Sequence, residues 1–93
     1  RFEFAQDWPG LDRQASLYLA EKGVRAVGTD CIGLDCDGST EIPAHDTFLA
    51  RKILIMENLT NLDQLPDQCL FMALPLNIRQ GSASPIRAVA LTA

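Results

Sequence analysis

The sequence predicts an α/β fold, and three observations carry that expectation. A helical segment hands over to a strand through a single glycine at Gly23, a second helix-then-strand unit follows from Pro43, and two further apolar runs occupy residues 69–76 and 86–91. Helices alternating with short strands of small and β-branched residues are the pattern of α/β layers.

Trp8-Pro9-Gly10 is a turn cluster, after which Leu11, Ala15, Tyr18, Leu19 and Lys22 share one face at the 3.6 period. Asp12 is placed to cap the start of this helix and Gly23 to stop it. Residues 24–30 read as a first strand, and residues 31–40, rich in Gly and Asp, as a loop. Pro43 suits the first position of a second helix over residues 44–52, anchored by Phe48 and Leu49, before a second strand at 53–59. Residues 60–66 suit a short helical turn ended by proline, and a polar Gly/Ser loop at 77–85 separates the third strand from the fourth. With no repeat, low-complexity stretch or dividing linker, the chain reads as one α/β piece. One long helix and two short ones are thin cover for four apolar strands, so further polypeptide is expected over residues 24–30 and 53–59.

At 93 residues, a chain buries only about 60–65% of its unfolded surface, which excludes a large self-contained enzyme. Eight Lys plus Arg against twelve Asp plus Glu give a net charge of −4 without basic clustering, so no nucleic-acid partner is expected. The longest apolar run, residues 69–76, is far short of the roughly 20 residues a membrane-spanning helix needs, so no membrane span is expected. Cys31, Cys36 and Cys69 are odd in number and match no zinc or CxxC spacing, which predicts reduced thiols and a cytoplasmic protein. The first residue is Arg1, so a longer polypeptide would have its beginning elsewhere.

Several residues are chemically notable. His45 is the only histidine and sits at a predicted helix start, where it is either a structural residue or a ligand. Glu57 ends the apolar run Ile53-Leu54-Ile55-Met56, so its carboxylate either clears the sheet edge into water or takes a cation, metal or backbone donors as partner. Asp30, at the end of the first strand, is placed either for function or to cap a turn. The acidic residues of 35–41 fail the spacing of a calcium loop and read as solvated loop residues or as groups supporting a site from behind. Gly81-Ser82-Ala83-Ser84-Pro85 lacks the nucleophile-elbow spacing, no phosphate-binding glycine motif occurs, and Cys31 as nucleophile would have only His45 as base.

Taken together, residues 23–30 (Gly-Val-Arg-Ala-Val-Gly-Thr-Asp), His45, Glu57-Asn58-Leu59, Asn61-Leu62 and residues 81–88 (Gly-Ser-Ala-Ser-Pro-Ile-Arg-Ala) resemble the cyclase-like metal hydrolases, the family of bacterial kynurenine formamidase and isatin hydrolase. The resemblance runs from about residue 9 to 90 and implies the C-terminal half of a single domain over residues 1–93, of the swivelling β/β/α type, with a mixed sheet and flanking helices. In formamidase members, a His at a helix start and a Glu twelve residues later, just before Asn-Leu, belong to the metal site; His45 and Glu57 match in type, order and spacing. The family's other ligands and its catalytic histidine lie in an N-terminal His-x-Gly-Thr-His-x-Asp-x-Pro-x-His motif that these residues do not contain, so no catalytic residue is assigned within this chain.

The resemblance therefore implies a divalent ion, zinc or manganese, a small-molecule amide as substrate, an aryl formamide or cyclic amide, and a homo-oligomer, with the N-terminal half as missing partner. Imidazole and carboxylate are ligands common to both metals. The alternative is a non-catalytic binding or assembly module on the same fold, its acidic surface serving protein contacts.

Overall fold

The computed structural model describes residues 3–92, which form two compact units divided after Thr60. The first unit holds a 3-10 turn at Glu3–Ala5, helix α1 (Arg13–Glu21), strand β1 (Ala26–Gly28), helix α2 (Pro43–Ala50) and strand β2 (Leu54–Met56). The second holds a 3-10 turn at Leu62–Gln64 and strands β3 (Leu70–Pro75) and β4 (Ile86–Leu91).

Strands β1 and β2 pair in parallel, Ala26 opposite Leu54 through Gly28 opposite Met56. A parallel pair needs a crossover, and α2 supplies it. The ladder continues beyond the regular strands, with Thr29 N–H donating to the Met56 carbonyl (3.0 Å), Leu59 N–H to that of Thr29 (3.0 Å) and Asn58 N–H to that of Cys31 (3.0 Å). The pairing thus spans the two stretches expected as strands, although only three residues of each keep regular geometry.

The core of this unit is Leu34, Ala44, Phe48 and Ile53, with Leu11, Leu19, Ala20, Val24, Val27 and Ile55 packed around it. Phe48 is fully buried, and its removal from water contributes about 1.5–3 kcal/mol. The expected apolar face of α1 is corrected in part. Leu19 packs on the core, but Tyr18 is 60% exposed and Ser16 is fully buried in its place. The Ser16 hydroxyl is satisfied by donating to the Asp12 carbonyl at 2.8 Å. Tyr18 instead lies under the Lys22 ammonium, 5.1 Å from its ring centre.

Helix α2 ends in a Schellman motif: Ile53 N–H donates to the Phe48 carbonyl (2.9 Å) and Lys52 N–H to that of Leu49 (3.1 Å). The accompanying apolar contact is made by Phe48 and Ile53, both core residues, so the helix stop and the core are one construction.

In the second unit, β3 and β4 pair antiparallel from Leu70 opposite Leu91 to Pro75 opposite Ile86. Their connecting loop is tied by Leu76 N–H donating to Ser84 Oγ at 2.8 Å. The four expected strands therefore form one parallel and one antiparallel pair. Large apolar side chains stay exposed in both units, Leu54 at 68% and Leu70, Leu74 and Leu91 among them. No helix among the described residues is long and apolar enough to cross a membrane.

Candidate metal centre

The N-terminus of α2 assembles the site. Pro43 occupies the first turn, where its missing N–H costs nothing. Ile42, at the N-cap position, has no side-chain acceptor for the free N–H groups that follow. Those groups are met by a carboxylate from the preceding loop: Ala44 N–H donates to Asp35 Oδ1 (2.7 Å) and His45 N–H to Asp35 Oδ2 (3.1 Å). Asp35 Oδ2 also lies 2.6 Å from His45 Nδ1.

Asp35 is only 7% exposed. Burial pushes its carboxyl up, but the hydrogen bond with the His45 ring and the two backbone donors outweigh burial and hold it below the usual carboxylate range. The loop carrying it is itself pinned. Trp8 Nε1–H donates to the Asp35 carbonyl (2.7 Å), Leu11 N–H to that of Leu34 (2.8 Å) and Asp37 N–H to that of Trp8 (3.2 Å). Gly10 permits this approach, since a Cβ there would collide with the backbone of Asp35 and Cys36.

On its other side the His45 ring faces Glu57, with Nε2 3.4 Å from Oε1. Both side chains are half-buried. Glu57 directly follows β2, and Asn58, in the left-handed conformation at φ 59°, turns the chain immediately after it. A helix start and a strand end twelve residues apart in sequence thereby converge on one point.

The spacing tests whether an ion fits. Ligand distances of about 2.0–2.2 Å in tetrahedral geometry place an imidazole nitrogen and a carboxylate oxygen about 3.3–3.5 Å apart, which the 3.4 Å between Nε2 and Oε1 matches. That separation exceeds the roughly 2.7–2.9 Å of a direct charge-assisted hydrogen bond. The two donors fit a shared divalent cation as part of its shell. Among the described residues, no group of three or more His, Cys, Asp or Glu is placed to hold an ion.

The other candidates lie apart from this pair. Asp30 is exposed and accepts from Cys31 Sγ at 3.6 Å. Both line an open cleft of about 510 Å³ beside the end of β1, together with Leu11, Leu19, Val27 and Thr29, and the cleft's lining does not include His45 or Glu57. Asp35 was read only as one of the acidic residues of 35–41, solvated or supporting a site from behind, and its capping of α2 was not foreseen. Its signal was the absence of Ser, Thr, Asp or Asn immediately before Pro43, which obliges the helix to find its cap elsewhere.

No family model matches the chain. Individual proteins do. The chain is 42% identical over 71 residues to kynurenine formamidase of Salinibacter ruber, an alignment spanning 76% of this chain and 34% of the relative. It is 39% identical over 88 residues to isatin hydrolase of Roseibium aggregatum, covering 89% of this chain and 34% of the relative. The crystal structure of an isatin hydrolase bound to the product analogue thioisatinate superposes with a TM-score of 0.83 at 35% identity, over 98% of this chain and 37% of that one. The chain resembles the cyclase-like hydrolases over most of its own length.

A second solved member, a potential metal-dependent hydrolase with cyclase activity, superposes with a TM-score of 0.77 at 27% identity, over 89% of this chain and 41% of that one. The chain spans 34 to 42% of the length of the curated relatives it matches. The cyclase-like resemblance and the α/β class expected from the sequence thus both hold, and these named relatives are enzymes.

Proposed function

We propose that residues 1–93 are the C-terminal half of a single cyclase-like hydrolase domain whose whole protein hydrolyses an amide, an aryl formamide or cyclic amide, using zinc or manganese held in part by His45 and Glu57. The observation that carries this reading is the 3.4 Å approach of His45 Nε2 to Glu57 Oε1.

His45 offers a nitrogen lone pair, and Glu57 offers an anionic oxygen that offsets the charge of a cation. A divalent ion bound there supplies Lewis acidity toward an amide carbonyl and lowers the pKa of water at the site. Half-burial of both side chains leaves one side of the pair open for a substrate. Further ligands and the general base belong, in this reading, to the N-terminal half of the protein. The exposed apolar surface at Leu54 supports cover by that half or by a second copy in a homo-oligomer. The free thiols of Cys31, Cys36 and Cys69 support a cytoplasmic location.

The test is turnover of N-formylkynurenine and isatin by intact protein, wild type and Glu57→Gln, with and without added zinc or manganese. Glu57→Gln is expected to lower activity by more than the roughly 10- to 100-fold that losing a group behind a ligand costs. Failure of metal-loaded wild type on a broad amide and lactam panel favours the non-catalytic module, and metal-independent activity contradicts the mechanism. Equal activity in Glu57→Gln removes that residue from the site.

A further inference from the structure

A ligand needs its lone pair aimed as well as placed, and an imidazole can present either nitrogen. We propose that Asp35 is a positioning residue, which fixes His45 as the Nδ1–H tautomer and so presents the bare Nε2 toward Glu57. The purpose of this arrangement rests on the metal-centre reading above, whereas its geometry stands without it.

The 2.6 Å between His45 Nδ1 and Asp35 Oδ2 requires one hydrogen between the two atoms. Both Asp35 oxygens already face backbone N–H groups, of Ala44 and His45, which can only donate. The carboxylate is thus an acceptor on every side. A neutral ring bonded this way has no proton on Nε2, the state a metal ligand must have.

Asp35 has little freedom to do otherwise. Its carbonyl is held by Trp8 Nε1–H, its neighbour Leu34 is in the core, and its side chain is fastened by two α2 N–H groups. The ring, the helix start and the loop therefore share one register, and Nε2 reaches Glu57 as a consequence.

The same carboxylate caps α2, so the experiment must separate capping from aiming. Asp35→Asn keeps the shape, but its amide NH₂ must face a backbone N–H or His45 Nδ1. With the NH₂ at the Oδ2 position, turning Nδ1 into an acceptor gives the amide a partner and moves the ring proton to Nε2, and the His45 N–H loses its acceptor. Adding Ile42→Ser, at the exposed N-cap position, returns a local acceptor to the helix without touching the ring. His45 is the sole histidine, so the imidazole ¹⁵N resonances of the metal-free chain, recorded where the ring is neutral, report one residue.

Wild type is expected to show a protonated Nδ1 and a bare Nε2. Asp35→Asn and the Asp35→Asn/Ile42→Ser double variant should show Nε2–H and bind zinc, titrated on the same resonances, about 10- to 100-fold more weakly. Ile42→Ser should recover stability and recover neither the tautomer nor the zinc affinity. An Nε2–H tautomer in wild type, or an unchanged tautomer or unchanged zinc affinity in the double variant, overturns the proposal. Intact wild-type protein that takes up no zinc refutes the metal centre, and a switch from Nδ1–H to Nε2–H in the double variant still shows that Asp35 sets the ring.

Discussion

Helices α1 and α2 begin in opposite ways. The first is capped from its own N-cap position, where Asp12 Oδ1 accepts from Ala15 N–H at 2.7 Å. The second has Ile42 at that position and takes its cap from Asp35, nine residues before Ala44. A local cap stabilises one helix and commits nothing else. An imported cap ties the helix to a loop and brings a buried carboxylate to the first turn, where it also meets the His45 ring. The candidate chemistry lies at the helix whose start depends on tertiary structure.

Truncating the two caps should break the symmetry most strongly. Asp35→Ala leaves two helix N–H groups and a half-buried ring without their acceptor, and urea denaturation should show a loss of about 2–4 kcal/mol. Asp12→Ala removes one exposed bond and should cost about 1 kcal/mol. Equal losses would mean that the imported cap is no more than a cap.

Acid should weaken the imported cap as well. The folded-state pKa of Asp35 lies below its unfolded value, so this group contributes stability above the unfolded pKa of about 3.9 and loses it as pH falls through the folded value. The stability gap between wild type and Asp35→Ala should therefore be widest near neutrality and close progressively below about pH 4. Urea midpoints measured across that range provide the check, and a gap that widened in acid would contradict the sign.

The helix ends invite a smaller comparison. Gly23 follows α1 at φ 80°, whereas Lys52 adopts φ 58° at the equivalent point after α2. Gly23→Ala should cost about 1 kcal/mol, and Lys52→Gly should gain about 0.5–1 kcal/mol, because only the second swap relieves a left-handed residue that bears a Cβ. Thermal midpoints moving in opposite directions would confirm it.

What could be read from the sequence follows the range of the interactions. The Asp12 cap, the Gly23 stop, Pro43 at the start of α2 and the extent of β4 all depend on neighbours within a few residues, and each agrees with expectation. The pairing of His45 with Glu57 was expected from the family resemblance, and the short helix–strand unit between them brings the two side chains to 3.4 Å. The capping role of Asp35 was not foreseen, because its partners lie nine and ten residues ahead and its burial depends on Trp8 and Gly10 from an earlier turn. The exposed face of α1 was misjudged at Tyr18 because periodicity groups residues on a face without saying how far that face turns inward, and here the small Ser16 is buried while the ring is not.

The central claim is that the α2 start and the β2 end present His45 and Glu57 to one ion, and zinc-edge anomalous scattering from crystals of the zinc-loaded intact protein tests it most directly. The account predicts a peak about 2.0–2.2 Å from both His45 Nε2 and a Glu57 carboxylate oxygen, with Nδ1 still on Asp35. Zinc bound elsewhere, with Nε2 hydrogen-bonded directly to Glu57, would contradict it.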